Sequence, residues 1–436
     1  MIVFFLLLLL LSGEILSYIL QQRSGKSAAV QKTLFRIAFA LTAGILVWTG
    51  VLDGLLRYGA LLLILAVQIM ISLIRSRKGS ASIRYRKGTI LRNMLLYTLS
   101  LSFAIVFPQY EKLVPTGPYH IESEEYTWTD PNRIETYSDA QENRYVTVKI
   151  WYPEEQGRYP LILFSHGATG ILESNTSSCE ELASNGYVVV AIAHPYLAMF
   201  TRNLENGRIT LADSEYLKQV MTDNGSDDPA HEKMILEASR EWLKIRTADM
   251  NFVLDTLLEK QKSGEEGPCS RIDSEKIGLF GHSLGGATAV SVARQRDDID
   301  AVIDLEGTML GEYAGYENND YLFREETYSV PILDINSRKI YDEAQSDPDR
   351  QYVNFYVVGH AADGREVVID GAGHLNFTDL PMISPILGKL LGSGDVDAKK
   401  CIEKIDSLML NYFDRQLKGM PEEPLPDGCK PGLTDS

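Results

Sequence analysis

Cysteine is scarce in this 436-residue chain, and neither its four cysteines nor its seven histidines stand at the spacing of metal ligands. We therefore expect neither a metal nor another cofactor. The cysteines are Cys179, Cys269, Cys401 and Cys429. Their even number allows three disulfide pairings, but a domain of this size does not need disulfides to fold. Paired disulfides and buried free thiols are both compatible with these positions.

Acidic side chains are almost absent from the first 110 residues, which contain only Glu14 and Asp53 against twelve Lys or Arg. This segment carries a formal charge of +10, whereas the whole chain carries −17. The chain thus divides into a basic N-terminal region and an acidic remainder. An acidic surface does not favour the phosphate backbone of a nucleic acid, so we expect no nucleic-acid partner.

Long apolar runs fill the N-terminal region. Each run approaches the length of about 20 residues that a membrane-spanning helix needs; the runs are residues 1–20, 34–56, 59–74 and 90–108. The first run has no Lys or Arg before it and no clear small-residue cleavage site, unlike a secretory signal. A buried core helix is the alternative for the shortest run. We predict a transmembrane region of four helices in residues 1–110.

The basic residues of this region concentrate in two loops, residues 21–32 and 74–88. The positive-inside rule places both loops in the cytoplasm. With four spans, both chain termini then lie outside. We therefore expect a multi-pass protein of the cell membrane whose acidic remainder is extracytoplasmic.

The remainder divides by composition into a linker (111–126), a catalytic domain (127–420) and a Pro-, Gly- and acid-rich tail (421–436), which we predict to be disordered. Pro115 and Pro118 prevent the linker from folding as a helix. At no more than about 3.5 Å per extended residue, such a linker keeps the domain within a few tens of ångströms of the membrane.

The most informative motif is Gly281-His282-Ser283-Leu284-Gly285. An apolar run precedes it and a helix-prone stretch follows it, which is the strand–turn–helix context of a nucleophile elbow. An ordinary tight turn is the alternative for a bare G-x-S-x-G pattern, but this context favours the elbow. The motif predicts Ser283 as the nucleophile of a serine hydrolase with an α/β-hydrolase fold.

A serine nucleophile needs a histidine to accept its proton, and in this fold the order along the chain is serine, acid, histidine. Two histidines follow the serine. His374 comes after the strand-like REVVID and a Gly-Ala-Gly turn, where the carboxyl end of a last strand would deliver it to the site. His360 lies in a segment that could be a buried helix. We predict His374 as the base.

The acid has three candidates. Asp304 ends the apolar run AVIDLEG, whereas Asp334 lies one strand later, at the commoner place for this acid, but inside its strand. Glu306 is a weaker third candidate. A carboxylate that caps a helix or pairs with a basic side chain is the alternative role. We predict Asp304.

The oxyanion hole should be formed by the apolar strand and Gly-rich loop PLILFSHGATG, residues 160–170, together with the residue after the nucleophile. By position, its N–H donors are those of Ala168 and Leu284. His166 in the same loop is expected to be a structural hydrogen-bonding residue, because no second nucleophile lies beside it.

FSHGATG, ELASNGYVVVAIAHP, GHSLGG, IDLEG and GHLNFTD together resemble the group II (plasma-type) platelet-activating factor acetylhydrolases and their bacterial relatives. The resemblance covers residues 145–413. In that family the acid follows the nucleophile closely, which favours Asp304, 21 residues after Ser283. It also implies main-chain oxyanion donors at Ala168 and Leu284, and calcium-independent hydrolysis of phospholipids with short or oxidised sn-2 chains. LEGTML replaces a more aromatic stretch of the family, so the substrate stays open.

We therefore expect a membrane-anchored serine esterase that acts on short-chain or lipid-like esters. A peptidase or amidase with the same triad is one alternative, and a catalytically inactive hydrolase-fold sensor is another. The polar segment 196–231 is expected to be either a partial lid over the site or a plain surface insertion.

Overall fold

The computed structural model describes residues 2–24, 29–52, 55–77, 86–222, 229–317, 320–346 and 351–432. It divides into two compact units. The first comprises Met1–Glu111 with Met382–Leu387, and the second comprises Lys112–Pro381 with Gly388–Ser436. The first boundary in the chain therefore falls beside the one that composition predicts at residue 110.

The N-terminal unit contains four long helices: α1 (Ile2–Ser24), α2 (Ala29–Trp48), α3 (Leu55–Arg77) and α4 (Lys87–Val106). All four are long and apolar enough to cross a membrane. The third extends beyond the predicted apolar run 59–74 to 23 residues, which meets the spanning length. The central parts of both basic loops, residues 25–28 and 78–85, lie outside the described residues.

A buried ion cluster surrounds Glu14, which is only 3% exposed. The Glu14 carboxylate accepts hydrogen bonds from Lys32 Nζ at 3.0 Å, Asn93 Nδ2 at 3.1 Å and the Tyr97 hydroxyl at 3.0 Å, and it also pairs with Arg36. These partners lie on α2 and α4, so the cluster ties α1 to two other helices. Four donors on one carboxylate satisfy the charge that burial would otherwise penalise.

Removing the Glu14 carboxylate should destabilise the helical unit, because it leaves buried cations without a partner. We expect Glu14→Ala to cost about 3–5 kcal/mol and to lower the temperature of half-aggregation of the detergent-purified chain. The matched control is Gln22→Ala, since Gln22 is an exposed residue on the same helix. Equal effects of the two substitutions would contradict a stabilising role for the cluster.

The second unit is built on strands that are, in chain order, β1 (Ile121–Ile134), β2 (Asn143–Pro153), β3 (Tyr159–Ser165), β4 (Val188–Ala193), β5 (Phe200–Arg202), β6 (Ile209–Leu211), β7 (Ile272–His282), β8 (Ala301–Leu305), β9 (Tyr313–Glu317), β10 (Asp320–Phe323), β11 (Ile332–Ser337), β12 (Gly364–Ile369) and β13 (Cys429–Pro431). Nine of them form one sheet in the order β1-β2-β4-β3-β7-β8-β11-β12-β13. The six central strands of this sheet, β4, β3, β7, β8, β11 and β12, run parallel, and antiparallel strands flank them. The side chains of β3 and β4 are wholly buried, as expected for parallel strands that are covered on both faces.

After α4 the chain forms the helices α5 (Thr176–Ser184), α6 (Ser214–Thr222), α7 (Pro229–Ser263), α8 (Leu284–Gln295), α9 (Arg338–Ser346), α10 (Val353–Gly359), α11 (Leu380–Ile383), α12 (Pro385–Leu391) and α13 (Ala398–Lys418). They belong to the second unit, except that Met382–Leu387, at the end of α11 and the start of α12, is part of the first. Successive residues of a strand point to opposite faces. On β7, Leu279 belongs to the core formed with α7, α8 and α10, whereas Phe280 belongs to the core formed with α5 and α13. The sheet therefore has helices on both faces, as the predicted fold class requires.

Two stretches differ from the sequence-based expectations, the linker and the tail. The first strand begins at Ile121, inside the predicted linker. In the tail that composition predicts to be disordered, β13 pairs antiparallel with β12, because the outer edge of β12 offers backbone partners to residues 429–431. The segment 196–231 contains the β5–β6 hairpin and α6; its residues 223–228 lie outside the description. All four cysteines are free thiols.

Candidate active site

Ser283 occupies the turn between β7 and α8 in a strained conformation, with φ 56° and ψ −125°. A positive φ is unfavourable for any residue with a side chain and is retained where the surroundings enforce it. The flanking positions leave no room for side chains. A Cβ on Gly281 would lie 2.1 Å from the carbonyl carbon of Gly285, and one on Gly285 would lie 1.9 Å from the carbonyl oxygen of Ser165. The turn is therefore built as the predicted elbow.

His374 lies in a short 3-10 turn that follows β12. The buried Asn376 side chain fixes this turn by accepting hydrogen bonds from the N–H groups of Gly373 at 3.0 Å and Gly394 at 2.6 Å. The neighbour of the nucleophile, His282, donates from Nε2 to the His374 carbonyl oxygen at 3.0 Å, and the two imidazole rings lie 4.5 Å apart. The structure thus brings His374 beside the elbow.

The carboxylate that accepts a hydrogen bond from His374 is Glu306. Nδ1 of His374 donates to Glu306 Oε2 at 2.7 Å, and the Glu306 side chain is only 2% exposed. Its other oxygen, Oε1, accepts the Ser337 N–H at 2.7 Å. Glu306 also has a positive φ of 51°, which indicates a position enforced by its surroundings. A carboxylate held in this way can fix the tautomer of the histidine.

The structure does not place Asp304, the acid predicted from the sequence, against His374. Asp304 is fully buried within β8, where Oδ1 accepts the Gly307 N–H at 2.9 Å and Oδ2 has no hydrogen-bond partner in the described part of the chain. It lies opposite Asp334 of β11. Burial, with Asp334 beside it, raises the pKa of Asp304 well above its usual value. The physical reason for the difference is position, because Asp304 stands two residues before Glu306, inside the strand.

Asp334, the alternative acid, and His360, the alternative base, both have other partners. Oδ2 of Asp334 accepts from Asn336 Nδ2 at 2.8 Å and from Asn354 Nδ2 at 3.2 Å, and burial raises the pKa of Asp334 to about 7. His360 is exposed and stacks on Tyr356 with ring centres 4.2 Å apart. The preference for His374 over His360 therefore agrees with the geometry.

The loop after β3 passes beside the nucleophile, since a Cβ on Gly167 would lie 3.4 Å from Ser283 Cβ. The two predicted oxyanion donors, Ala168 and Leu284, both pack in one apolar cluster. We call this the elbow cluster; its buried members are Leu197, Tyr216, Trp242, Leu243, Leu284 and Ala287. Leu284 is also the first residue of α8, where the helix dipole favours negative charge.

The segment GHLNFTD contains an H-x-N-F-x-D pattern, residues 374–379, whose structural role sequence reasoning missed. Asp379 accepts the backbone N–H of Ser177 at 3.0 Å and also pairs with its hydroxyl, so the end of the motif is attached to the start of α5. Asn376 braces the turn, and Asp379 attaches the histidine loop to α5. Glu306 could have been favoured as the acid from its position directly after an apolar strand and before Gly307.

The parallel sheet, the elbow and the paired histidine and carboxylate together define an α/β-hydrolase. The chain belongs to the family described as platelet-activating factor acetylhydrolase, isoform II, which it matches over residues 135–423. This confirms the family resemblance found in the sequence.

Individual relatives are distant. The platelet-activating factor acetylhydrolase of Canis lupus familiaris is 24% identical over 279 residues, which cover 60% of this chain and 57% of the relative. Cutinase est2 of Thermobifida alba is 24% identical over 214 residues, which cover 49% of this chain and 56% of the cutinase. The chain thus spans less than three fifths of the length of these relatives.

A solved structure, the ferulic acid esterase from Streptomyces cinnamoneus, has the same fold. It matches with a TM-score of 0.55 at 23% sequence identity, and the match covers 73% of this chain and 98% of the esterase. At this identity the likeness concerns the fold alone.

Substitution of the two carboxyl groups separates their roles. If Glu306 orients His374, Glu306→Gln should lower kcat roughly 10⁴-fold, because a neutral amide neither fixes the tautomer nor stabilises the imidazolium. Asp304→Asn can still accept the Gly307 N–H, and we expect kcat to stay within about tenfold of the unsubstituted protein. Both are measured on a chromogenic short-chain ester with folding checked by thermal unfolding. A larger loss for Asp304→Asn would return the acid role to Asp304.

Proposed function

We propose that this chain is a membrane-anchored serine esterase that uses Ser283, His374 and Glu306 as its catalytic triad. The observation that carries the proposal is the 2.7 Å hydrogen bond between His374 and Glu306 beside the elbow serine. Family membership supports ester hydrolysis, because the similar proteins are named as acetylhydrolases, cutinases and an esterase.

In the proposed reaction, Nε2 of His374 accepts the Ser283 hydroxyl proton while Oγ attacks the ester carbonyl carbon. Glu306 keeps the other proton on Nδ1 and stabilises the imidazolium that forms. The carbonyl oxygen becomes an oxyanion, which the N–H groups of Ala168 and Leu284 stabilise. His374 then donates its proton to the departing alcohol. Water, activated by the same histidine, hydrolyses the acyl-serine.

The elbow cluster supports an apolar acyl group as the part of the substrate nearest these donors, since Leu284 and Ala287 carry apolar side chains at the start of α8. Each buried CH₂ adds about 0.8 kcal/mol of binding until the space is filled. Together with the relatives named as platelet-activating factor acetylhydrolases, this favours short-chain or lipid-like esters.

Acyl-length preference tests the function directly. We expect kcat/KM to rise from acetyl esters to an optimum at short or medium chains and then to fall, as the relatives named as acetylhydrolases suggest. The control is Ser283→Ala, which should lower kcat on every ester by a factor on the order of 10⁶. A steady rise to palmitoyl esters would indicate a lipase instead.

The same series of substrates, extended to anilides and peptides, distinguishes an esterase from the alternative functions. Preferred amide turnover would indicate a peptidase or amidase. A sensor protein would show no turnover and no labelling of Ser283 by a fluorophosphonate. Nothing in the elbow cluster favours peptide recognition, and the hydrogen-bonded pair of His374 and Glu306 beside Ser283 favours chemistry over simple binding.

We also propose that helices α1–α4 span the cell membrane and that the hydrolase unit is extracytoplasmic. The length and hydropathy of the helices support spanning, and the basic loops support this orientation. Amphiphilic esters at the lipid surface would then be the accessible substrates.

Cysteine labelling tests this topology. In a Cys429→Ser background, which removes the half-buried native thiol, a reagent that does not cross membranes should label Ser436→Cys in intact cells but not Ser80→Cys. Permeabilised cells, in which both sites should react, are the control. The reverse pattern in intact cells would place the hydrolase unit in the cytoplasm.

A further inference from the structure

The Arg246 guanidinium is buried directly behind the loop that follows β3, residues 166–170, which we call the oxyanion loop. Arg246 of α7 is 0% exposed, and it donates from Nη2 to the carbonyl oxygen of His166 and from Nη1 to that of Gly167 at 3.4 Å. Nη2 also donates to Ser165 Oγ at 3.0 Å. Burial lowers the pKa of Arg246 to about 10, so the side chain is still charged near neutral pH. Its hydrogen-bond partners in the described residues are neutral groups.

One of these contacts acts on the peptide unit that carries an oxyanion donor. The carbonyl of Gly167 and the N–H of Ala168 belong to one planar trans peptide, so they point in opposite directions. Nδ1 of His166 contacts the same Gly167 oxygen at 2.7 Å. The oxygen is thus held towards Arg246 and His166. The Ala168 N–H therefore points away from Arg246, and Gly167 of the same peptide adjoins Ser283.

A directional chain of hydrogen bonds fixes Arg246 in turn. Burial lowers the pKa of His194 to about 3, so this ring is neutral. Its Nδ1–H donates to Asp249 Oδ2 at 3.0 Å, which leaves Nε2 to accept from the Ser165 hydroxyl at 3.0 Å. Arg144 holds Asp249 through two bonds of 2.7 Å. The Ser165 oxygen is therefore presented to Arg246 as an acceptor.

Burial of a cation without a direct carboxylate partner is costly, and such groups concentrate where charge is needed. In the proposed reaction, negative charge appears at the substrate oxygen. A positive charge behind the Gly167 carbonyl polarises that peptide in the direction that strengthens donation by the Ala168 N–H. The effect is large in a site from which water is excluded.

We propose that Arg246 is a positioning residue for the oxyanion hole, acting through the Gly167–Ala168 peptide. The proposal rests on the proposed esterase function. In this role Arg246 orients one oxyanion donor, the Ala168 N–H. The alternative is that its buried side chain only stabilises the fold. A structural role would lower the amount of folded protein without changing the chemistry of the folded fraction.

The test compares the purified full chain with Arg246→Met, which removes the charge and the donors at similar length, and with Arg246→Lys, which keeps the charge but loses the paired donors. Lys244→Met is the matched control, because Lys244 lies on the same helix with a side chain 77% exposed. Each variant is measured for kcat and KM on the best ester and for binding of two inhibitors. One is a trifluoromethyl ketone, which forms a tetrahedral oxyanion adduct with Ser283; the other is the matching ether, which has no carbonyl.

We expect Arg246→Met to lower kcat on the order of 10²-fold, as for loss of one oxyanion donor, with KM and ether binding nearly unchanged. Affinity for the trifluoromethyl ketone should fall in parallel with kcat/KM. Arg246→Lys should lose roughly tenfold in kcat, and Lys244→Met should match the unsubstituted protein.

Folded Arg246→Met with kcat and ketone affinity within threefold of the unsubstituted protein would overturn the proposal. So would equal losses in the binding of both inhibitors. If Arg246→Met does not fold, Arg246→Lys decides, and full retention of kcat and ketone affinity in that variant overturns it. Absence of ester turnover in the unsubstituted protein would instead refute the esterase function, before any substitution of Arg246 is considered.

Discussion

The register of the parallel strands determines where the candidate site lies. Ser165 of β3, Gly281 of β7 and Asp304 of β8 occupy one row across the sheet. Two residues beyond this row, Ser283 and Glu306 emerge from neighbouring strands at the same height, and both have a positive φ. The oxyanion loop begins just after the same row. A one-residue slip of either strand would reverse the direction of every side chain and separate the nucleophile from its partners.

Charge is arranged asymmetrically around Ser283. Glu306 places a buried negative charge on the side of the base, where the reaction would create an imidazolium. Arg246 places a buried positive charge behind the oxyanion loop, where the reaction would create an oxyanion. Each acts through one intermediary, His374 or the Gly167–Ala168 peptide. Fixed charges that match the charge separation of a transition state need no reorganisation when it forms.

Short-range patterns predicted the parts of this site that are encoded locally. The elbow at Ser283 and the loop of His374 each follow an apolar run with turn residues, so sequence alone could place them. In a continuous strand, Asp304 and Glu306 would share one face. Because β8 ends between them at Leu305, an error of two residues in its predicted end is enough to choose the wrong carboxylate. Arg246 carries no local motif, because its partners lie some 80 residues earlier in the chain.

The family match begins at residue 135, so helices α1–α4 fall outside it, and the ester chemistry proposed for the second unit uses none of their residues. The helical unit has its own source of specificity, the ion cluster at Glu14, which ties helices together through charges rather than through apolar packing alone. Burial of these ionic groups has a cost in desolvation, which their mutual contacts offset. The proposed anchor would determine which esters reach the enzyme, whereas the elbow cluster would determine which acyl groups fit. Substrate choice would then depend on two regions of the chain that can vary independently.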